Sequence, residues 1–138
     1  MKKPSKTTLR NKCDDLWKWI MHQKGYCEVC GRPDEVPYVE FGKTVPGLNA
    51  HHIITRDNNN LRWDFRNGVL LCVKHHKYGN PCAHKNPIWF AEWLKQNRPD
   101  DYEYLKNPKW TKTKTWRISD YQEIYQRLKE VYSEIQTA

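Results

Sequence analysis

The chain has 138 residues, of which 38% are hydrophobic and 29% are charged, and its formal net charge at pH 7 is +8. This length fits one domain with a modest core, and so basic a composition favours an acidic polymer as partner. No apolar run approaches the length that spans a bilayer, and the residues after Met1 do not form a signal peptide, so we expect no membrane partner. Five cysteines, an odd number, fit a reducing cytoplasm better than a disulfide scaffold.

The first predicted element is an amphipathic helix from about residue 8 to residue 24. Its apolar residues recur at intervals of three and four and form one helical stripe: Leu9, Cys13, Leu16, Trp17, Ile20 and Met21. Because Cys13 belongs to this stripe, we assign it to the core and not to a metal site. The opposite face is rich in Lys and Arg, and it is either solvated or lies along a phosphate backbone.

Two close pairs of Cys and His residues predict a structural zinc site. Cys27 and Cys30 form C-x-x-C before Gly31, where the chain can turn, and Cys72 and His75 form C-x-x-H. Zinc binds four nitrogen or sulfur ligands in a tetrahedron, commonly from two such pairs. The long segment between the pairs favours a treble-clef-like arrangement over a DNA-reading finger. The alternative, buried free cysteines without an ion, does not explain why both pairs have this spacing.

Between the two pairs, residues 32–49 predict a loop or a short hairpin, because prolines and glycines interrupt scattered apolar residues. Two strands follow at residues 48–54 and 69–71, with a polar turn at residues 57–60 between them. The second strand leads into a predicted helix from residue 72 to about residue 78, which the G-N-P sequence ends.

Further histidines accompany the zinc pairs but belong to a different pattern. His51 and His52 lie on the first predicted strand, and His75 and His76 are neighbours on the predicted helix. Side chains of adjacent helical residues point about 100° apart, so His75 and His76 do not reach the same ion. If His75 faces the zinc, we predict that His76 faces the strand that carries His52.

The motifs A-H-H-I-I-T-R, N-G-V-L-L-C and H-H-K, together with the upstream C-x-x-C, resemble those of the HNH endonuclease family. Residues 26–87 carry the resemblance, and the layout is similar to phage and prophage HNH proteins linked to recombination, the NinG/Rap-like group. The resemblance implies an α+β fold: a small ββα-metal core with structural zinc, flanked by N- and C-terminal helices. Residues 1–138 would form a single HNH endonuclease domain, with a basic N-terminal helix (1–24), the core (25–87) and a helical C-terminal extension (88–138).

Carried onto this sequence, the resemblance implies a role for each polar residue. His52 would be the general base that takes a proton from the attacking water, and Asn67 would brace the loop and help to orient that base. His76 would bind the catalytic ion. His51 lies where a metal-binding Asp is often found, but in a regular strand it points away from His52, so its role as a ligand stays open. His84 is either a further ligand of the ion or a loop histidine.

The chemistry of phosphodiester hydrolysis agrees with these roles. It needs a deprotonated water and a cation beside the oxygens that gain charge, and histidine suits the base because its unperturbed pKa lies near neutral pH. The resemblance implies Mg²⁺ or Mn²⁺ as the catalytic ion, and imidazole ligands also suit Ni²⁺ or Zn²⁺. Arg56 can grip a phosphate with its forked donors, or it can be a solvated loop charge.

The C-terminal third predicts helices on either side of a basic segment. Pro87 can open one helix, and Ser119 can open the last, with Gln122 completing a capping box. The apolar stripe of the last helix is broad enough for core or dimer packing. Residues 106–117 contain five basic and no acidic residues, interleaved with tryptophans. This composition is typical of nucleic-acid binding, and the alternative is a connector that the tryptophans anchor to the core.

The residues and the resemblance together predict a metal-dependent HNH endonuclease that hydrolyses DNA phosphodiester bonds, by nicking or double-strand cleavage. A role in phage DNA recombination or processing is implied by the resemblance alone. The alternative is a catalytically inactive, zinc-stabilised module that binds DNA or RNA. We expect a monomer or homodimer in the bacterial cytoplasm, encoded by a phage or prophage. Cys82 has no assigned role. The predicted nucleic-acid contacts are Arg56, Arg62, Lys77, Lys112, Lys114 and Arg117.

Overall fold

The structure is a computed structural model that describes residues 3–33 and 47–138. Most of the loop or hairpin predicted at residues 32–49 lies outside the described residues. Helices are combined with one small two-stranded sheet, as expected for the α+β class and the ββα arrangement. The elements in chain order are α1 (Lys6–His22), β1 (Leu48–His52), β2 (Gly68–Cys72), a short π-helix (Lys74–Tyr78), α2 (Pro87–Asn97), α3 (Pro99–Leu105) and α4 (Ile118–Thr137). None of the helices in the described ranges has both the length and the apolar character needed to cross a membrane.

Helix α1 packs on α4 through the apolar stripe that the sequence predicts. The helix begins after Ser5, whose hydroxyl accepts a hydrogen bond of 3.1 Å from the backbone N–H of Thr8. Cys13 is fully buried in this interface, and burial raises the pKa of its thiol to about 12. Tyr121 and Leu128 of α4 belong to the same buried cluster. The apolar stripe of α4, predicted for core or dimer packing, therefore packs within the chain.

Strands β1 and β2 pair in an antiparallel register that runs from Leu48 opposite Cys72 to His52 opposite Gly68. All five residues of β2 are buried, whereas only the first residue of β1 is. Because side chains alternate along a strand, His51 and His52 project from opposite faces of β1. The sheet thus separates two histidines that are neighbours in the sequence.

Gly68 lets α1 approach the end of this sheet closely. A Cβ atom at Gly68 would lie 2.6 Å from Cζ2 of Trp17 and 2.7 Å from Cε of Met21. Distances this short are steric overlaps, so a larger residue would push α1 away from the sheet. The glycine therefore keeps Trp17 beside the strand position opposite Gly68, which is occupied by His52.

The segment after β2 differs from the predicted α-helix over residues 72–78. Cys72 ends β2, and Lys74–Tyr78 forms a π-helix, in which the N–H of Gly79 donates to the carbonyl of Lys74 over 2.7 Å. A Cβ at Gly79 would be only 2.3 Å from that carbonyl oxygen. The π-helical turn therefore requires glycine at position 79, where the hydrogen bond to Lys74 closes it.

Helix α4 begins one residue earlier than predicted and has a different cap. Its first residue is Ile118, and the side chain of Asp120 accepts a hydrogen bond of 2.8 Å from the backbone N–H of Arg117. The predicted capping box of Ser119 and Gln122 was wrong, because Asp120 already occupies the position that reaches back to the start of the helix. Helix α2 does begin at Pro87.

Arg98 connects the C-terminal helices to the sheet. It lies between α2 and α3, and its guanidinium donates to the carbonyl of Gly68 over 2.7 Å. The same group pairs with Asp101 at 2.8 Å and approaches Glu28, between Cys27 and Cys30, at 3.5 Å. The C-terminal extension is thereby attached to the edge of the predicted core.

Candidate functional site

The four predicted zinc ligands form one cluster, which we call the cysteine cluster: Cys27, Cys30, Cys72 and His75. Their ligand atoms all lie within 4.8 Å of one another. Sγ of Cys30 is 3.8 Å from Sγ of Cys72, which is 3.2 Å from Nδ1 of His75. Two thiolates on a tetrahedral zinc ion lie about 3.8 Å apart, given Zn–S bonds of about 2.3 Å. The cluster can therefore hold a metal ion, and its donors and spacing fit zinc.

The local backbone prepares the first cysteine pair for metal binding. Gly31 has a φ of +77°, and its N–H donates to the carbonyl of Cys27 over 2.8 Å. This left-handed conformation favours glycine and closes the turn around the C-x-x-C sequence. Burial raises the pKa of the Cys27 thiol, but hydrogen bonds from the backbones of Cys72, Cys30 and Val29 outweigh it and hold that pKa below its ordinary value. The thiolate is the form that binds metal.

Glu28 attaches this turn to the sheet, a role that the sequence did not reveal. Its backbone N–H donates to the carbonyl of Leu70 over 2.9 Å, and its carboxylate accepts the N–H of Leu70 over 2.7 Å. The turn thus lies along the edge of β2, which ends at Cys72. This arrangement brings the two halves of the cysteine cluster together.

A second cluster, which we call the histidine cluster, consists of His51, His76 and His84. Nε2 of His76 is 3.1 Å from Nε2 of His84, and the ligand atoms of all three lie within 4.8 Å. Two nitrogens bound at right angles to one ion, with bonds of about 2.1 Å, are about 3 Å apart. Burial and the neighbouring histidines lower the pKa of His51 to about 3, and burial and His84 lower that of His76 to about 4. Neutral imidazoles offer lone pairs, so the donor set fits a divalent ion.

The chain brings these three histidines together from three segments. His51 comes from β1 and His76 from the π-helix, and the backbone N–H of His84 donates to the carbonyl of His76 over 3.1 Å. His75 and His76 take part in different clusters, as their helical separation predicted. His76 does face β1, but on the side of His51 and not of His52. The structure thus brings both histidines of open role, His51 and His84, beside His76.

His52 lies on the other face of β1 and is held by two contacts. Its ring stacks on Trp17 with 4.2 Å between the centroids and 11° between the planes. Its Nε2 is 2.8 Å from the carbonyl oxygen of Arg62. A carbonyl only accepts, so Nε2 carries the proton and Nδ1 keeps its lone pair. Burial lowers the pKa of His52, which keeps the ring neutral at pH 7.

Asp14 of α1 supports this arrangement and was missed by sequence reasoning. Its carboxylate accepts two hydrogen bonds from the Arg62 guanidinium, at 2.9 and 2.6 Å, and one from Nε1 of Trp63 at 2.8 Å. Only 11% of the Arg62 side chain is exposed. Arg62 points its charge at Asp14, and its carbonyl is the one that His52 binds. Its predicted contact with nucleic acid stays a prediction.

Asn67 is fully buried and spans the loop between the two strands. Its Oδ1 accepts the N–H of Ile54 over 2.7 Å, and its Nδ2 donates to the carbonyls of Ile54 and Leu61 over 2.9 and 3.1 Å. The side chain at the end of this loop is therefore bonded to residues at its beginning and in its middle. These hydrogen bonds order the loop, and the predicted role of Asn67 in orienting His52 stays a prediction.

The remaining predicted residues lie at the surface or in the core. The side chains of the other predicted nucleic-acid contacts are exposed: Arg56, Lys77, Lys112, Lys114 and Arg117. Cys82 is fully buried, and its thiol donates to the carbonyl of Lys77 over 3.3 Å. It belongs to neither cluster and packs in the core.

Comparison with curated proteins and with solved structures gave no significant match. In a comparison with protein families, residues 27–80 match the model of the family described as HNH endonuclease. The matched range contains the whole cysteine cluster and also His51, His52, Asn67 and His76. Helix α1, His84 and helices α2 to α4 lie outside it. Residues 27–80 are therefore similar to the HNH endonuclease family, which suggests a nuclease or nucleic-acid-binding function.

Proposed function

We propose that the protein is a metal-dependent endonuclease that hydrolyses DNA phosphodiester bonds. The observation that carries the proposal is that His51 and His52, which are adjacent on β1, have different surroundings. His51 faces two further imidazoles, whereas the adjacent His52 contacts a backbone carbonyl and an indole. One face of the strand thus offers metal ligands and the other a fixed base. The family match over residues 27–80 supports this function.

The two clusters would have different tasks in such an enzyme. The cysteine cluster would hold zinc and stabilise the fold, since its four ligands leave no position for a substrate. His51, His76 and His84 would hold the catalytic ion, which would stabilise the negative charge that develops on the phosphate oxygens. Because the described donors are all imidazoles, the cluster suits Ni²⁺ or Zn²⁺ better than Mg²⁺ or Mn²⁺.

His52 would remove a proton from the attacking water. Its Nδ1 has the free lone pair, because Nε2–H is bonded to the Arg62 carbonyl. The ring becomes positively charged when it accepts the proton, and both this carbonyl and the nearby carboxylate of Asp14 favour the charged form. Stacking on Trp17 and the loop held by Asn67 keep the ring in place. General base catalysis of this kind contributes about 10²- to 10⁴-fold to a rate.

The test is cleavage of supercoiled plasmid by the wild type and by His52→Ala, with Mg²⁺, Mn²⁺, Ni²⁺ or EDTA. We expect metal-dependent conversion to open-circular or linear DNA, and a rate at least about 10²-fold lower in the variant. Zinc content and DNA affinity should stay close to wild type. Equal cleavage by His52→Ala would show that the base is another group.

Wild-type protein that binds DNA but cleaves nothing would favour the alternative of an inactive binding module. The resemblance to phage recombination proteins makes branched DNA a necessary substrate in this experiment. Flaps and four-way junctions should therefore be tested beside the plasmid. Cleavage of these alone would keep the proposed chemistry and restrict its substrate.

Asp14→Asn is expected to lower kcat about tenfold while KM stays near its wild-type value. The variant keeps the size of the side chain but removes the charge and one acceptor for Arg62, so the carbonyl that orients His52 is held less firmly. Asp15→Asn is the matched control, since Asp15 is the next residue of α1. Cleavage kinetics on an oligonucleotide duplex measure both constants. Equal kcat values for the two variants would contradict a positioning role for Asp14.

A further inference from the structure

The basic segment (residues 106–117) is a surface that the family match does not include. It contains five Lys or Arg residues and no Asp or Glu. After a 3₁₀ turn at Pro108–Thr111, residues 112–117 form neither helix nor strand. Lys109, Lys112, Lys114 and Arg117 are all exposed. A run of exposed cations in an open backbone attracts a polyanion.

Two asparagine side chains attach this segment to the loop that follows β1. Nδ2 of Asn58 donates to the carbonyl of Trp110 over 2.7 Å, and Nδ2 of Asn60 donates to the carbonyl of Lys112 over 2.9 Å. Oδ1 of Asn58 also accepts the backbone N–H of Asn60 over 3.1 Å, which orders the loop itself. We call Asn58 and Asn60 the asparagine pair. They bond to the backbone of the basic segment and leave its cationic side chains at the surface, where Lys106 pairs with Glu103 at 3.1 Å and Lys114 with Asp120 at 3.3 Å. Exposed ion pairs of this kind are weak, and a phosphate can compete for the lysines.

The tryptophans of the segment anchor it to the protein. Nε1 of Trp110 donates to the carbonyl of Tyr104 over 2.8 Å, and the Trp116 ring lies 5.7 Å from that of Trp63 and 5.4 Å from that of Tyr121. Both indoles are partly buried in these contacts. Their use as anchors favours a partner that the segment recognises by charge, and not by stacking of bases.

The same loop connects the segment to His52. The asparagine pair lies between Ile54 and Leu61, the two residues that Asn67 holds. The loop continues into Arg62, whose carbonyl binds His52, and then into Trp63, against which Trp116 packs. The position of the cations is therefore tied to the position of the proposed base.

We propose that the basic segment binds the phosphate backbone of DNA beside the scissile phosphate, and that the asparagine pair sets its distance from His52. The alignment with His52 rests on the proposed function, because it matters only if His52 takes part in cleavage. The binding itself requires no cleavage. It predicts an affinity that depends steeply on salt and little on base sequence.

The first experiment removes charge from the segment. Binding of a labelled 30-base-pair duplex, and of one of its single strands, is measured by anisotropy from low to high salt without added catalytic ion. The triple variant Lys109→Gln, Lys112→Gln, Lys114→Gln should lower the salt slope for the duplex by about 2.7, at about 0.9 per contact, or for the single strand by about 2. Affinity at 0.1 M salt should fall at least about tenfold.

A variant with the same net charge serves as the control for this experiment. Lys18→Gln, Lys95→Gln, Lys129→Gln removes three exposed cations from α1, α2 and α4. The slope of this control should change by less than about one. Equal changes in both triple variants, or no change in either, would overturn the assignment of the surface. The larger loss on duplex or on single-stranded DNA identifies the form that the segment binds.

The second experiment changes the position of the basic segment without changing its charge. Asn58→Ala with Asn60→Ala should keep the salt slope of the wild type and lower kcat about tenfold, because DNA still meets the cations but is no longer aligned with His52. Asn59→Ala, which removes only a 3.4 Å contact to the Tyr121 hydroxyl, is the control and should cleave normally. An unchanged kcat in the double variant would overturn the alignment role. Wild-type protein that binds DNA but cleaves neither plasmid nor branched DNA would instead refute the proposed function and leave the binding result intact.

Discussion

Cys72→Ala is expected to abolish metal binding at the cysteine cluster and to unfold most of the chain. Cys72 is the last residue of β2, and its thiol lies close to both Cys30 and His75. Binding of a structural zinc ion contributes about 10–16 kcal/mol, whereas the whole stability of a domain is about 5–15 kcal/mol. Loss of the ion would therefore remove a free energy comparable to the whole stability of the fold. Metal content and thermal unfolding followed by circular dichroism measure both effects.

Cys82→Ala is the matched control for this variant. Cys82 is as deeply buried as Cys72, but its thiol only donates to the carbonyl of Lys77. The control should keep its zinc and lose about 1 kcal/mol of stability, as is common for a single core substitution. If Cys72→Ala retained zinc and unfolded at the same temperature as Cys82→Ala, the cysteine cluster would have no structural role.

His76→Ala is expected to remove the catalytic ion and reduce cleavage at least about 10²-fold while the fold persists. His76 contacts both other ligands: its Nε2 is 3.1 Å from that of His84, and its ring centroid is 5.0 Å from that of His51. Removal of this imidazole leaves two donors that belong to separate segments. Calorimetric titration of zinc-loaded protein with Ni²⁺ measures the site directly.

His52→Ala separates loss of the ion from loss of the base. It should bind Ni²⁺ with wild-type affinity and yet fail to cleave, because His52 projects from the opposite face of β1 to His51. Ni²⁺ and Zn²⁺ should bind the wild type more tightly than Mn²⁺, and Mg²⁺ most weakly, as imidazole ligands dictate. Equal affinity for Ni²⁺ in His76→Ala and His52→Ala would show that the ion binds elsewhere.

Much of the candidate site could be predicted because it depends on local geometry. The spacing in C-x-x-C and C-x-x-H indicates metal-binding pairs, and the alternation of side chains along a strand separates His51 from His52. The angle between neighbouring helical residues likewise separated His75 from His76. Each of these relations depends only on the regular repeat of a single helix or strand, so it can be deduced from the sequence.

Contacts between distant segments could not be predicted in this way. Asp14 and Arg62 are far apart in the chain, and nothing in either local pattern indicates that they pair. The expectation that Arg62 contacts nucleic acid did not anticipate a carboxylate from α1. The π-helix and the Asp120 cap were also missed, since each depends on one short-range steric or hydrogen-bonding detail that outweighs the general pattern. Sequence reasoning thus described the ligands better than the residues that support them.

The contact between Trp17 and His52 determines how much of the chain the proposed site requires. Residues 27–80 match the family, but the indole that stacks on His52 and the carboxylate that binds Arg62 both come from α1. A transplant of that range alone into another scaffold would carry the cysteine cluster, His51 and His76, but it would lack His84 and leave His52 loosely oriented. Helix α1 would therefore have to be transferred together with the matched residues for His52 to keep its orientation.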